Sequence, residues 1–304
     1  MTEQAQDVLL NEHSYIPPVA KADWLLRIGV AIVGTVSVLA VVGPYIGPYD
    51  PTMTTVRIAV PPPAFSEVPG TFFAWIRGTL DHPPHWMGTD ANGYDVFSRV
   101  IASPRTDLQI ALLANVVSLV IGVFFGLIAG YFRNRATELL MRVSDVMQAF
   151  PVFISAMVLV ALAGRSSANI VIALAFVYIP IYIRLTRSEV LSQTSRGFVE
   201  AARAMGNREL TIALRHVLPN SLTPALIQSS VTIGFAILLT AGLSFVGAGV
   251  RPPTPEWGLM ISTGANQIVL GEWWPSVFPG LAISITVFGF AVLGNALERR
   301  YEQG

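Results

Sequence analysis

Cysteine is absent from the 304 residues, so the chain has no means of forming a disulfide, a thiolate metal site, an iron–sulfur cluster or a cysteine nucleophile. Lysine is nearly absent: Lys21 stands alone beside eighteen arginines. A phosphate-cradling G-x-x-x-x-G-K-[ST] loop needs its own lysine. Lys21 sits instead in "VAKADW", so this chain supplies no such ATP site. Charge of either sign is scarce, 12% of residues against roughly 25% in an ordinary soluble domain. The formal net charge of zero argues against a nucleic-acid partner. Neither H-E-x-x-H nor G-x-S-x-G occurs, which leaves protease and hydrolase readings without a motif. His82 and His85, split by a proline pair, lack further ligands at a suitable spacing, so no metal site is assigned. The chain is expected to be non-catalytic, with no cofactor of its own.

What is present is apolar length. Hydrophobic residues make up 53% of the chain, and crossing about 30 Å of hydrocarbon takes roughly 20 helical residues. Six runs qualify: 28–46, 108–132, 146–163, 168–183, 222–250 and 275–297, the fourth being short. An all-α polytopic membrane protein of six transmembrane helices is predicted. The expected organisation is a cytoplasmic tail at 1–27, a first span with an extracytoplasmic loop at 28–107, a five-helix core at 108–300 and a cytoplasmic end at 301–304. The tail is read as uncleaved, since it lacks the short basic start and small-residue cleavage site of a signal peptide. In the long loop, "PPPAF" and "DHPPHW" suit extended turns, and Asn92 to Val100 reads as a short surface helix. None of the six runs contains an acid or base at mid-membrane, whereas ion-driven carriers keep such groups for relays. A self-sufficient secondary carrier is therefore the weaker alternative, and the energy source is expected on another chain.

With the N-terminus inside, thirteen basic residues fall on the inner side and six on the outer, which orients both termini to the cytoplasm. The same orientation places the polar stretch "EAARAMGNRELTIALRHVLPN", Glu200 to Asn220, in the cytoplasm between the fourth and fifth spans. Good helix formers run to Met205, Gly206-Asn207 breaks them, and a second helix from Glu209 is expected to stop before Pro219. Two short helices at an angle form an elbow, placed within 188–220 and shaped to enter a cleft on a partner protein.

The elbow resembles the coupling motif of permease subunits of bacterial ATP-binding-cassette importers. That pattern is E-A-A, three residues, Gly, nine residues, a position often Ile, one residue, then Leu-Pro. Here it is carried by Glu200, Ala201, Ala202, Gly206, His216, Leu218 and Pro219, with His216 in the variant form "RHVLPN" of the peptide-type subfamily. Further blocks are similar, in order, to the C-type permease chain of the dipeptide, oligopeptide and nickel importers. They are "MGTDANGYDVFSRVIASPRTDLQIAL" (87–112), "GLIAGYF" (126–132), "MRVSDVMQAFP" (141–151), "LSFVGAGVRPPTPEWGLMI" (243–261) and "FPGLAI" (278–283). The resemblance implies the type I importer permease fold in a bacterial or archaeal cell membrane. It also implies a homologous second permease chain completing a heterodimer, two ATPase domains that bind ATP and Mg, and a separate extracytoplasmic binding protein. The implied cargo is di- or oligopeptide, with nickel chelate, glutathione or oligosaccharide as alternatives. In that setting Gly206 would permit both the turn and the partner's approach, and Glu200 would pair with a neighbouring arginine or cap local amides.

Other residues read as architecture or pathway. Gly122, Gly126 and Gly130 lie one turn apart on one face of the second span, where small residues let helix backbones approach. Pro151 and Pro180 are candidate pivots in the third and fourth spans. A roomy, mildly polar peptide route nominates Gln148, Ser155, Gln228, Ser229 and Thr232 as lining.

Overall fold

The structure is a computed structural model describing residues 23–56 and 59–303. Residues 1–22 of the expected tail, Lys21 among them, and Arg57 lie outside the described residues. Helices dominate. Among the described residues only two isolated bridges, Thr54 to Tyr94 and Thr89 to Asp95, have strand character.

The helices are α1 (Asp23–Ile46), α2 (Val68–Ile76), α3 (Val96–Tyr131), α4 (Arg135–Gln148), α5 (Val152–Ala163), α6 (Ser167–Thr194), α7 (Gly197–Ala204), α8 (Glu209–Ile212), α9 (Leu218–Ser221), α10 (Thr223–Phe245), α11 (Trp257–Ala265) and α12 (Trp274–Gln303). Five of them, α1, α3, α6, α10 and α12, are long and apolar enough to cross a membrane. The span expected at 146–163 is not one straight helix. Its residues divide between α4 and α5, which meet at 91°, so a sixth span exists only if this bent pair is counted as one. Phe150-Pro151 is the cause: proline has no N–H to give and pushes its predecessor out of helical geometry. Pro180, by contrast, sits buried in an unbroken α6.

Two expectations about loops need correction. Asn92 to Val100 is not a separate surface helix. Asp95 accepts from the Ser98 N–H at 2.7 Å and starts α3 at Val96, making one helix of 36 residues. The long outer segment is not wholly irregular either, since the apolar run after Pro69 folds as α2, with Pro in the first turn where a missing N–H is harmless.

The core is built around α3. It packs chiefly on α6 and α1, α10 and α12 close the other flank, and α11 lies against α12. The contact between α3 and α6 is made possible by the glycine face. A Cβ at Gly122 would stand 2.3 Å from Tyr182 Cβ, one at Gly126 2.7 Å from Thr186 Cβ, and one at Gly130 2.7 Å from Val190 Cβ. Three successive turns of α3 thus seat three successive turns of α6, in register, with no room for a methyl group.

Candidate functional site

The elbow has two faces. Its inner face is apolar: Val199 and Ala202 of α7, with Ile212, Ala213 and Val217 beyond the turn, are all buried against Leu127 of α3 and Val190 of α6. Tyr131 and Leu218 pack at the margin. The outer face leaves Phe198, Met205, Leu210 and Leu214 exposed, Met205 by 75% and Leu210 by 60%. The E-A-A residues divide between the faces: Ala202 points into the plug, while Glu200 and Ala201 face out.

Gly206 makes the corner. Its φ of +81° is a left-handed conformation in which any Cβ is strained, although a Cβ would meet nothing within 4 Å. Within this chain the requirement is therefore conformational and leaves open space for an approaching surface. Asn207 holds the corner shut, its Nδ2 donating to the Ala202 carbonyl at 3.0 Å.

After the corner the chain does not stop before Pro219 as expected. α8 runs into a wider π-type turn, Ala213–Val217, and then α9, with Pro219 in that segment's first turn. The widened turn and the N-terminal position together remove the need for the N–H that proline lacks. His216 is half-buried at this turn and Pro219 is exposed. The expectation that Glu200 would pair with an arginine also fails: its carboxylate has no hydrogen-bond or ion-pair partner among the described residues. Glu209 takes that place, because it faces back across the corner. Arg203 Nε donates to Glu209 Oε1 at 2.7 Å and Nη2 donates to Oε2 at 3.1 Å, while the Tyr131 hydroxyl donates to Oε2. The Arg203 guanidinium, and after it the Tyr131 hydroxyl, hold the Glu209 carboxyl down at about 2.

Above the elbow, Gln148 and Gln228 share an open groove of about 390 Å³ with Ile181, Arg184, Leu185 and Ser188. Arg184 Nη2 reaches Asp145 Oδ1 at 2.8 Å and ties α6 to α4. Thr232 is only 2% exposed, behind Gln228, so it does not front this groove. Ser229 accepts from the Tyr182 hydroxyl at 3.3 Å and donates to the Ala225 carbonyl. Ser155 donates to the Pro151 carbonyl at 3.3 Å, on the far side of the break.

With this geometry in place, residues 122–303 match the family described as binding-protein-dependent transport system inner membrane component. The chain belongs to that family. This permease chain is 37% identical over 259 residues to the di/tripeptide transport system permease of Pseudomonas aeruginosa, covering 85% of this chain and 81% of that one. It is 39% identical over 214 residues to the glutathione transport system permease of Pectobacterium atrosepticum, covering 70% of this chain and 71% of that one. Its fold is similar to that of the MetNI methionine transporter in inward facing conformations, with a TM-score of 0.54 at 17% identity, over 66% of this chain and 95% of that chain. It is a multi-pass C-type importer permease with the type I fold.

The permease also buries charge that sequence reading missed. At the end of α3 remote from the elbow, Arg99 is 4% exposed and donates to the carbonyls of Pro51, Pro253 and Thr254 at 2.8, 3.0 and 3.3 Å. Immediately before the apolar part of α3, Asp107 lies buried beside Glu256, and its Oδ2 accepts from the Trp257 N–H at 3.4 Å. Glu256 caps α11, accepting from the N–H groups of Gly258 and Leu259 at 2.8 and 2.6 Å. Burial pushes its carboxyl above the usual range. The only sequence signal was an acid immediately before an apolar run. Among the described residues no cluster of three or more His, Asp or Glu could hold a metal. His85 instead bonds Asp95 through Nδ1 at 2.7 Å, its ring against Tyr49.

Proposed function

We propose that this permease forms half of the pathway of an ATP-driven importer for di- and oligopeptides. A homologous second permease completes the pathway, and a separate extracytoplasmic binding protein delivers cargo. Two ATPase domains, which bind ATP and Mg, dock beneath the pair of permeases, and one of them receives the outer face of this elbow through Glu200, Ala201, Gly206 and the exposed apolar residues around them. The observation that carries this reading is the two-sided elbow: a face of exposed apolar side chains and open space at Gly206, backed by a plug seated on the ends of α3 and α6. Both termini lie in the cytoplasm of a bacterial cell, as the arginine distribution supports. Gln148 and Gln228 line the pathway in their shared groove, and the Pro151 break serves as a pivot between α4 and α5. The peptide class of cargo is supported by the relatives' names, which divide between di/tripeptide and glutathione.

A mild-detergent pull-down of tagged permease from its native membrane, read by mass spectrometry, tests the assembly. A second permease and ATPases carrying Walker motifs are expected among the recovered proteins. Recovery of the chain alone, in detergent that preserves a known complex, would favour a self-sufficient carrier. Competition of labelled dipeptide uptake by unlabelled peptides, glutathione, nickel chelates and oligosaccharides then resolves the cargo.

A further inference from the structure

The elbow is fastened to the spans in two unlike ways. One is the apolar plug under α7 and α8, which resists separation but lets surfaces slide, since dispersion contacts have little directionality. The other is polar and directional. Tyr131 is the last residue of α3, and its hydroxyl reaches Glu209, the first residue of α8. Arg203, in the last turn of α7, grips the same carboxylate with both its Nε and Nη2. A single carboxylate thus joins α3 and both arms of the elbow. The three side chains line an open cleft with Asn134 and Thr194. Among the described residues this side of α8 faces the open cleft, so the link adds a directional contact that the apolar plug does not provide.

We infer that Tyr131, through Glu209 and Arg203, is a positioning residue that makes the elbow and α3 move as one body, so that force applied at the elbow enters α3 directly. The inference rests on the proposed docking of ATPases at the elbow. Exposed ion pairs contribute little to stability, so the importance of this link lies in direction. A bidentate fork fixes the angle between two groups where a single contact would not. The Arg203 guanidinium keeps Glu209 ionised down to about pH 2, so the link persists throughout the physiological range.

The test uses the whole complex in liposomes and reads peptide transported per ATP hydrolysed. Tyr131→Phe removes only the hydroxyl, and Glu209→Gln keeps an acceptor but not the charge. Each is expected to lower the ratio about threefold, the scale of one exposed charge-assisted hydrogen bond, with complex yield and melting temperature unchanged. A purely structural role would lower yield and leave the ratio alone. Because the chain has no cysteine, Tyr131→Cys with Glu209→Cys offers a second route through a short bifunctional maleimide. The open double variant should be uncoupled, and bridging should restore the ratio. An unchanged ratio in both single variants overturns the inference, as does loss of transport on bridging, which would mean that α8 must part from α3 during the cycle. If no ATPase accompanies the wild-type chain, the docking reading itself fails, an outcome distinct from either of these.

Discussion

The two ends of α3 manage charge in opposite ways. At the Arg99 end, Arg99, Asp107 and Glu256 are buried, and the partners they have are backbone groups, loop carbonyls for the arginine and helix amides for the two acids, with Asp107 Oδ1 left unpaired among the described residues. At the elbow end, Arg203, Glu209 and Glu200 are exposed, above a buried apolar cluster that carries no charge. Charge buried among backbone groups tolerates almost no displacement, because each carbonyl or amide released would be left unpaired in a dry site. Charge at a wet surface over an apolar plug can shift at little cost. One end is built to stay, and the other, on the proposed docking, is where force would enter.

The sharpest way to break that contrast is at Arg99. Arg99→Leu strands three carbonyls and should cost about 3 kcal/mol, read as a large fall in melting temperature in detergent. Arg203→Leu, its exposed counterpart, should leave melting unchanged. An equal effect from both would erase the distinction. Next in size is the seam between the two regions: Gly122→Ala places a methyl group against Tyr182 and should cost roughly 1–3 kcal/mol through overpacking. Gly34→Ala, which meets nothing within 4 Å in α1, serves as its control.

At the elbow the expected loss is of function. Gly206→Val, strained at φ +81°, and Glu200→Lys, which reverses charge on the outer face, should each cut ATP-linked uptake at least tenfold, about 1.4 kcal/mol in coupling. Both chains should remain inserted, as membrane fractionation would verify. Normal uptake by both would remove the elbow from the mechanism.

The smallest effect is in the pH dependence. Glu256 has a raised folded value, so the unfolded chain releases this proton first and stability declines as pH rises above the ordinary glutamate range, near 4.5. Glu209 has a lowered value set by Arg203, but it is exposed, so this shift adds little to stability at any pH. The melting curve of Glu256→Gln, subtracted from wild type, should therefore slope above pH 5, while that of the exposed Glu209→Gln should stay flat. Parallel difference curves would contradict the division between the two ends.

Much of the membrane architecture was legible because apolar length is a local property: α1, α3, α10 and α12 each announce themselves as long uninterrupted runs, and α6 as a shorter one that the structure extends to Thr194. The elbow was legible because Gly206 and its neighbours lie within one short stretch. The break between α4 and α5 was visible as Phe150-Pro151, although its consequence, a bent pair in place of a span, depends on how far the two halves turn. Prolines hid as much as they revealed. They masked α2 and α11, where proline or a preceding loop marks the start of a helix instead of forbidding one. What stayed hidden was pairing at a distance. Tyr131 and Glu209 are 78 positions apart and Asp107 and Trp257 are 150 apart, and each looks like an ordinary polar residue until the helices are packed.

The length of α3 has a mechanical consequence. From Arg99 to Tyr131 the helix spans about 48 Å at 1.5 Å per residue, anchored at one end and gripped at the other. Under the proposed docking it would act as a lever with its fulcrum at the loop carbonyls that hold Arg99. A tilt of only about 5° about that point carries the far tip through about 4 Å, and the glycine seam obliges α6 to swing with it. A small rotation is therefore enough to produce a displacement the width of a side chain, and no helix needs to unwind.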